Sequence, residues 1–287
     1  MVELIRALGV FCEPPKDEHK KLADILGFSA SPRSDVYQEI FCNDLPPYAS
    51  IYTSDEGIVG GEALGRISGF WQALQRDVPH EPDHLGRLLG LAAYLEESQA
   101  SEQEPARAVL IERSLAALFW EHLLPWVPMY LDRVESVGKG TVYGDWARLL
   151  SETLIYKFES LGPLENLPRH LATSSGLLDP RRSGATQFLS SLLAPIQSGF
   201  ILLTEDLNHL SAEIGVSTKD HDRQEILEDL LGLAPKQTLE GLAKVAYERS
   251  HYTSGRWSLL GELCLHWEGR AKESGELLQQ LSCDLGD

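Results

Sequence analysis

The sequence predicts an all-α fold, a bundle of about ten helices. Three observations predict it. Apolar residues recur at helical spacing along most of the chain, strand-like alternation is nearly absent, and the composition is globular, with 43% apolar and 24% charged residues among 287. A chain of this length can bury most of its apolar surface without covalent staples, and it corresponds to one or two domains.

Each element follows from its spacing. Leu85, Leu88, Leu89, Ala92 and Leu95 fall at i, i+3, i+4, i+7 and beyond, which is one apolar helix face. Leu115, Leu118, Phe119, His122 and Leu123 repeat the pattern, as do Leu149, Leu150, Thr153, Leu154 and Phe158. Near the end, Leu259, Leu260, Leu263 and Trp267 form another face, and Leu277, Leu278 and Leu281 a last one. The best strand signal, Ala49 to Thr53, is short and isolated between Pro46-Pro47 and Gly57, so it reads as loop. Trp71, Trp120, Trp126 and Trp146 read as core by spacing, with an apolar groove as the alternative.

Proline and glycine mark the joints. Pro14-Pro15 closes the first helix, Ser98 to Pro105 reads as a helix–helix connection, and Val137-Gly138-Lys139-Gly140 as another break. The segment from Gly162 to Gly184 holds three prolines and Arg181-Arg182, and is the most linker-like stretch. The expected organisation is a helical domain over 1–161, a linker or long loop over 162–184 and a C-terminal helical region over 185–287. No fixed-period repeat is visible, which argues against a helical solenoid.

Charge and cysteine narrow the function classes. With 25 Lys and Arg against 43 Asp and Glu, the net charge is −18. Such a surface repels nucleic acid and anionic lipid and attracts basic partners. Cys12, Cys42, Cys264 and Cys283 form no C-x-x-C pair and match no zinc spacing, so reduced thiols are expected. The N-terminus has no basic-then-apolar leader pattern and no stretch is apolar enough to span a bilayer. The expectation is a cytoplasmic, soluble protein with no nucleic-acid partner and no membrane insertion.

The densest polar cluster is His80-Glu81-Pro82-Asp83-His84, directly before the Leu85 face. It has the chemistry of a helix start: Pro82 suits the first helical position, and Asp83 puts a carboxylate over free N–H groups. A metal reading uses His80 and His84 at i, i+4, but Pro82 interrupts the register and no third ligand is fixed. A binding-site role is the third reading. His221-Asp222 has the composition of a phosphohydrolase ligand pair, yet it lies in the charged run Lys219 to Arg223, where a solvated helix start explains it. Dinucleotide, phosphate-loop, G-x-S-x-G and H-E-x-x-H signatures are absent. No catalytic residue, metal or cofactor is expected.

Pro47-Tyr48-Ala49-Ser50-Ile51-Tyr52, then Gly60, Phe70-Trp71 and Glu81-Pro82-Asp83-His84-Leu85, resemble the TorD/DmsD/NarJ family in order and spacing. These are cytoplasmic maturation chaperones of molybdenum-cofactor enzymes. Glu121-His122-Leu123-Leu124-Pro125-Trp126 is similar to a further element of the family. The match covers roughly residues 1 to 135. Ala194 to Phe200 and Trp267 to Ala271 resemble pieces of longer TorD-like members. Two departures stand out: Leu88 lies where many members carry an acid, and the chain is longer than is usual in the family.

The resemblance implies a TorD-like fold and a protein that is not an enzyme. It implies a chaperone that binds the twin-arginine signal peptide, the apo form, or both, of a molybdoenzyme catalytic subunit, and holds it for cofactor insertion. A homodimer is among the states the family adopts. On this reading Glu81 and Asp83 meet the basic end of the peptide and His84 orients it or senses charge. Pro82 completes the motif, and Tyr48, Tyr52, Trp71 and Trp126 line an open apolar groove. A metal-dependent hydrolase and a helix-docking adaptor are the alternatives. No phosphate-cradling loop is present, so nucleotide binding is not expected.

Overall fold

A computed structural model describes residues 1–162, 164, 166–217 and 222–285, with residues 252–254 described by their backbone only. Among the described residues the protein is all-α, with 17 α-helical segments and no strand. The excess over ten arises because several segments are single turns inside stretches that read as loops. The described chain forms two compact units, residues 1–51 with 59–168, and residues 52–58 with 169–287.

The first unit contains α1 (Val2–Val10), α2 (Asp17–Leu26), α3 (Ser34–Tyr37), α4 (Ala49–Thr53, which runs across the boundary into the second unit), α5 (Gly61–Ala73), α6 (Leu85–Ser101), α7 (Pro105–Ala117), α8 (Val127–Val137) and α9 (Val142–Phe158). Helices α1 and α6 pack closely because both present glycine at the crossing. A Cβ on Gly86 would lie 2.8 Å from the Gly9 carbonyl oxygen, so even alanine would push the helices apart. Trp146 on α9 donates its indole N–H to the Leu8 carbonyl at 2.8 Å, tying α9 to α1. Tyr37, Phe41, Tyr143 and Trp146 form the aromatic core beside that bond.

Three sequence expectations change here. Ala49 to Thr53 is helix, not loop. Ser98 to Ser101 is the last turn of α6 rather than connection, leaving only residues 102–104 before Pro105 opens α7. The first helix stops before Pro14, at Val10.

Two π-helical segments interrupt the α-pattern, at Gln38–Asp44 and Leu118–Leu123. In each, an amide reaches back five residues: Leu45 to the Ile40 carbonyl and Leu124 to the Phe119 carbonyl, both at 2.8 Å. In the second, the extra residue per turn widens the buried face to include Leu118, Phe119, Trp120, His122 and Leu123. His122 packs its ring 4.6 Å from Phe70, and burial, with Arg66 nearby, pushes its pKa down to about 4. The folded state therefore resists protonation of His122 while the unfolded chain accepts it near pH 6.5. Stability is complete above that pH and falls as pH drops towards 4. We expect His122→Leu to reduce the loss of stability between pH 7 and 4 by about 2–3 kcal/mol, read by urea titration. An unchanged pH profile would show that His122 takes up its proton as readily in the folded protein as in the unfolded chain.

The second unit contains α10 (Arg169–Thr173), α11 (Pro180–Ser183), α12 (Ala185–Leu193), α13 (Pro195–Ser198), α14 (Thr204–Ile214), α15 (Arg223–Leu233), α16 (Pro235–Arg256) and α17 (Glu262–Asp284). The last two are antiparallel, joined by residues 257–261, and are tied by Ser250 Oγ donating to the Glu268 carbonyl. Their apolar faces, with Phe188, Leu192, Leu207 and Leu227, make one core. Leu277, Leu278 and Leu281, the last apolar face of the sequence, lie on α17 together with Leu263 and Trp267. Asp222 caps α15 by accepting from the Glu225 amide, while His221 lies outside the described residues.

Candidate functional site

The E-P-D-H cluster is built from two chain segments that run past each other before their helices begin. Tyr48 and His84 face each other in an antiparallel bridge. Around it the Leu85 amide donates to the Pro47 carbonyl at 2.8 Å, and the Ala49 amide to the Asp83 carbonyl at 3.0 Å. Side chains close both ends. Tyr48 Oη donates to Glu81 at 2.7 Å, and Ser50 Oγ donates to Asp83 at 2.6 Å. Each segment spaces its two residues by two, Tyr48 and Ser50 against Glu81 and Asp83. That spacing is the sequence signal that could have identified Ser50, which sequence reasoning left out of the site.

Asp83 does cap a helix, but not its own. Its carboxylate also accepts from the Ser50 amide at 3.2 Å, in the first turn of α4. Ser50 Oγ in turn accepts from the Gly60 amide at 3.2 Å, next to the start of α5. The N-cap of α6 is His84, and no side-chain cap bond is made there. Pro82 therefore precedes the cap and is not the first helical residue; its carbonyl accepts the Trp71 indole N–H at 3.2 Å. One buried carboxylate thus fixes α4 to the approach of α6, and Ser50 extends the link to α5.

Burial sorts the expected site residues. Asp83 is 1% exposed and its Oδ2 accepts from both the amide and the hydroxyl of Ser50, so the structure places it inside and not against a peptide's basic end. His84 is buried, stacks edge-on with Tyr48 at 5.1 Å, and leaves Nδ1 without a hydrogen-bond partner. Burial lowers its pKa. Trp71 is buried against Pro82. Trp126, expected on a groove, is wholly enclosed, donating to the His122 carbonyl and packing on Tyr130. Tyr52 is 1% exposed and falls in the second unit.

Tyr48 and Glu81 remain half-exposed, and they define the outer edge of the cluster. Burial and the bond to Glu81 push the Tyr48 phenol up, so it stays a donor throughout the physiological range. Glu13 adds a second carboxylate near both Tyr48 and His84, and its ion pair with Arg87 is loose at 3.6 Å. The edge is thus an acidic lip on a rigid, internally bonded support, suited to meeting a cation. Among the described residues, no group of three or more His, Cys, Asp and Glu side chains converges as a metal site. No described helix is long and apolar enough to cross a membrane.

Residues 30–132, which include the whole cluster, match the family described as the nitrate reductase delta subunit. Over that stretch the chain is similar to the TorD/DmsD/NarJ family of chaperones. It is 29% identical over 145 residues to the probable Tat proofreading chaperone DmsD of Haemophilus influenzae, covering 47% of this chain and 66% of that protein. It is 33% identical over 128 residues to the chaperone protein YcdY of Escherichia coli, covering 44% and 62%. To the chaperone protein TorD of Vibrio cholerae it is 27% identical over 107 residues, covering 36% and 48%. The chain thus spans between about half and two thirds of the length of these relatives. All three are named as chaperones. No solved structure matches.

Proposed function

We propose that the protein is a maturation chaperone. On this reading it binds the twin-arginine signal peptide, the apo form, or both, of a molybdenum-cofactor oxidoreductase and holds the client until its cofactor is inserted. The observation that carries the reading is the stitched Tyr48–Glu81 and Ser50–Asp83 cluster, lying inside the stretch that matches the family. The net charge of −18 supports a basic client segment. Glu81 and Tyr48 make the direct contacts at the acidic lip. Pro82, Asp83, His84 and Trp71 act through them, as positioning residues that hold the lip rigid. Exposed ion pairs contribute only about 0.2–1 kcal/mol each, so the acids select and orient while apolar contacts hold.

Calorimetry with synthetic twin-arginine leader peptides at low salt tests this. Glu81→Gln should weaken binding about two- to fivefold and flatten its salt dependence, with thermal stability little changed. Absence of binding to every leader and apoenzyme tried would overturn the proposal.

A further inference from the structure

Arg87 stands where helix electrostatics disfavours a cation. It lies in the first turn of α6, a turn with no acidic residue and no side-chain cap. The free N–H groups at that end carry partial positive charge, which repels a guanidinium. A residue that breaks a local rule in this way, beside a candidate site, calls for a compensating partner.

Glu13 is that partner. The crossing of α1 and α6 at Gly9 and Gly86 brings the two side chains together, Glu13 four positions past one glycine and Arg87 one past the other. Their pair is 3.6 Å long, against 2.9 Å for Arg6 and Glu3, and the side chains are 51% and 39% exposed. Among the described residues the Arg87 guanidinium makes no hydrogen bond, so this loose pair is its one ionic contact. An exposed pair of this kind is weak and exchanges readily for another cation.

The two acids of the lip are thus held differently. Glu81 accepts from Tyr48 Oη at 2.7 Å, a neutral donor that leaves its charge uncompensated. Glu13, whose charge acts on both Tyr48 and His84, faces a guanidinium.

We infer that Arg87 is an internal competitor at the acidic lip: it occupies Glu13 while the lip is empty and yields it to the guanidinium of an incoming basic segment. The inference rests on the chaperone reading proposed above for the partner, and adds what regulates the site. A cation that pairs with the lip no better than Arg87 does is repelled by it, so the residue lowers affinity for every basic segment and thereby rejects the weaker ones.

Calorimetry with the same leader peptides at about 0.1 M salt tests this, because charges much more than about 10 Å apart are then screened. Arg107→Gln is the control. It removes the same charge from the same unit, but beyond the far end of α6, about 20 Å away at 1.5 Å per residue. We expect Arg87→Gln to tighten leader binding about two- to fivefold, Arg107→Gln to leave it unchanged, and the gain to vanish in a Glu13→Gln background. Thermal melts of Arg87→Gln should match or exceed the parent, since the lost cation sat at the positive helix end. Binding by Arg87→Gln equal to or weaker than the parent's would overturn the inference and leave the chaperone reading standing. An equal gain in Arg107→Gln, or a gain that persists without the Glu13 carboxylate, would do the same. Failure of every leader to bind the parent chain would overturn both.

Discussion

Gly199→Ala will destabilise the second unit by roughly 3–5 kcal/mol, a loss at the top of the range for adding one methyl group. Two independent causes act together. Gly199 ends α13 with φ at +82°, where a side chain is strained. A Cβ there would also lie 2.3 Å from the Ala271 backbone nitrogen and 2.6 Å from the Arg270 carbonyl carbon, neither of which can swing away. Gly215 supplies the control, because its φ is also +82° but nothing lies within 4 Å of the added atom. Gly215→Ala should cost only about 1 kcal/mol. Urea denaturation of the two variants measures the difference, and equal losses would show that the contact with α17 is not tight. The same contact joins the segments Ala194 to Phe200 and Trp267 to Ala271: one packs its glycine on the other's backbone.

Asp83→Ala will cost about 2–4 kcal/mol, because it strands a buried hydroxyl and a buried amide at Ser50. The binding-site reading of the sequence alone would have put most of the effect on client affinity. The geometry moves most of it to stability, with a smaller loss of affinity per folded molecule through the loosened Tyr48–Glu81 lip. A double-mutant cycle with Ser50→Ala checks this, and a coupling of about 1–3 kcal/mol is expected. Simple additivity of the two single losses would show that the carboxylate and the hydroxyl do not support each other.

Long amphipathic helices were legible because their information is local. The Leu85 to Leu95 face is α6, and the Leu149 to Phe158 face is the latter half of α9. What escaped was non-local. Nothing within Ala49 to Thr53 makes five residues helical; Asp83, 33 positions from Ser50, does so by occupying the first-turn donor. For the same reason Asp83 read as the cap of the helix that follows it, since sequence spacing shows only neighbours along the chain. The π-helical turn at Leu118 to Leu123 kept a helical apolar pattern, so its added residue left no trace in the periodicity. Exposure was likewise hidden. An aromatic residue bordering a groove and one sealed in a core have the same spacing, and Trp126 proved to be the second kind.

The excursion of residues 52–58 into company with residues 169–287 bears on how the chain can be cut. A protease that nicks the 159–168 stretch would not release two separable fragments, since the N-terminal piece would still carry seven residues whose neighbours are on the other piece. Gly57 shows the dependence: a Cβ there would sit 3.0 Å from the Ala194 Cα. Truncating at residue 168 to isolate the stretch that matches the family would part residues 52–58 from the unit they belong to.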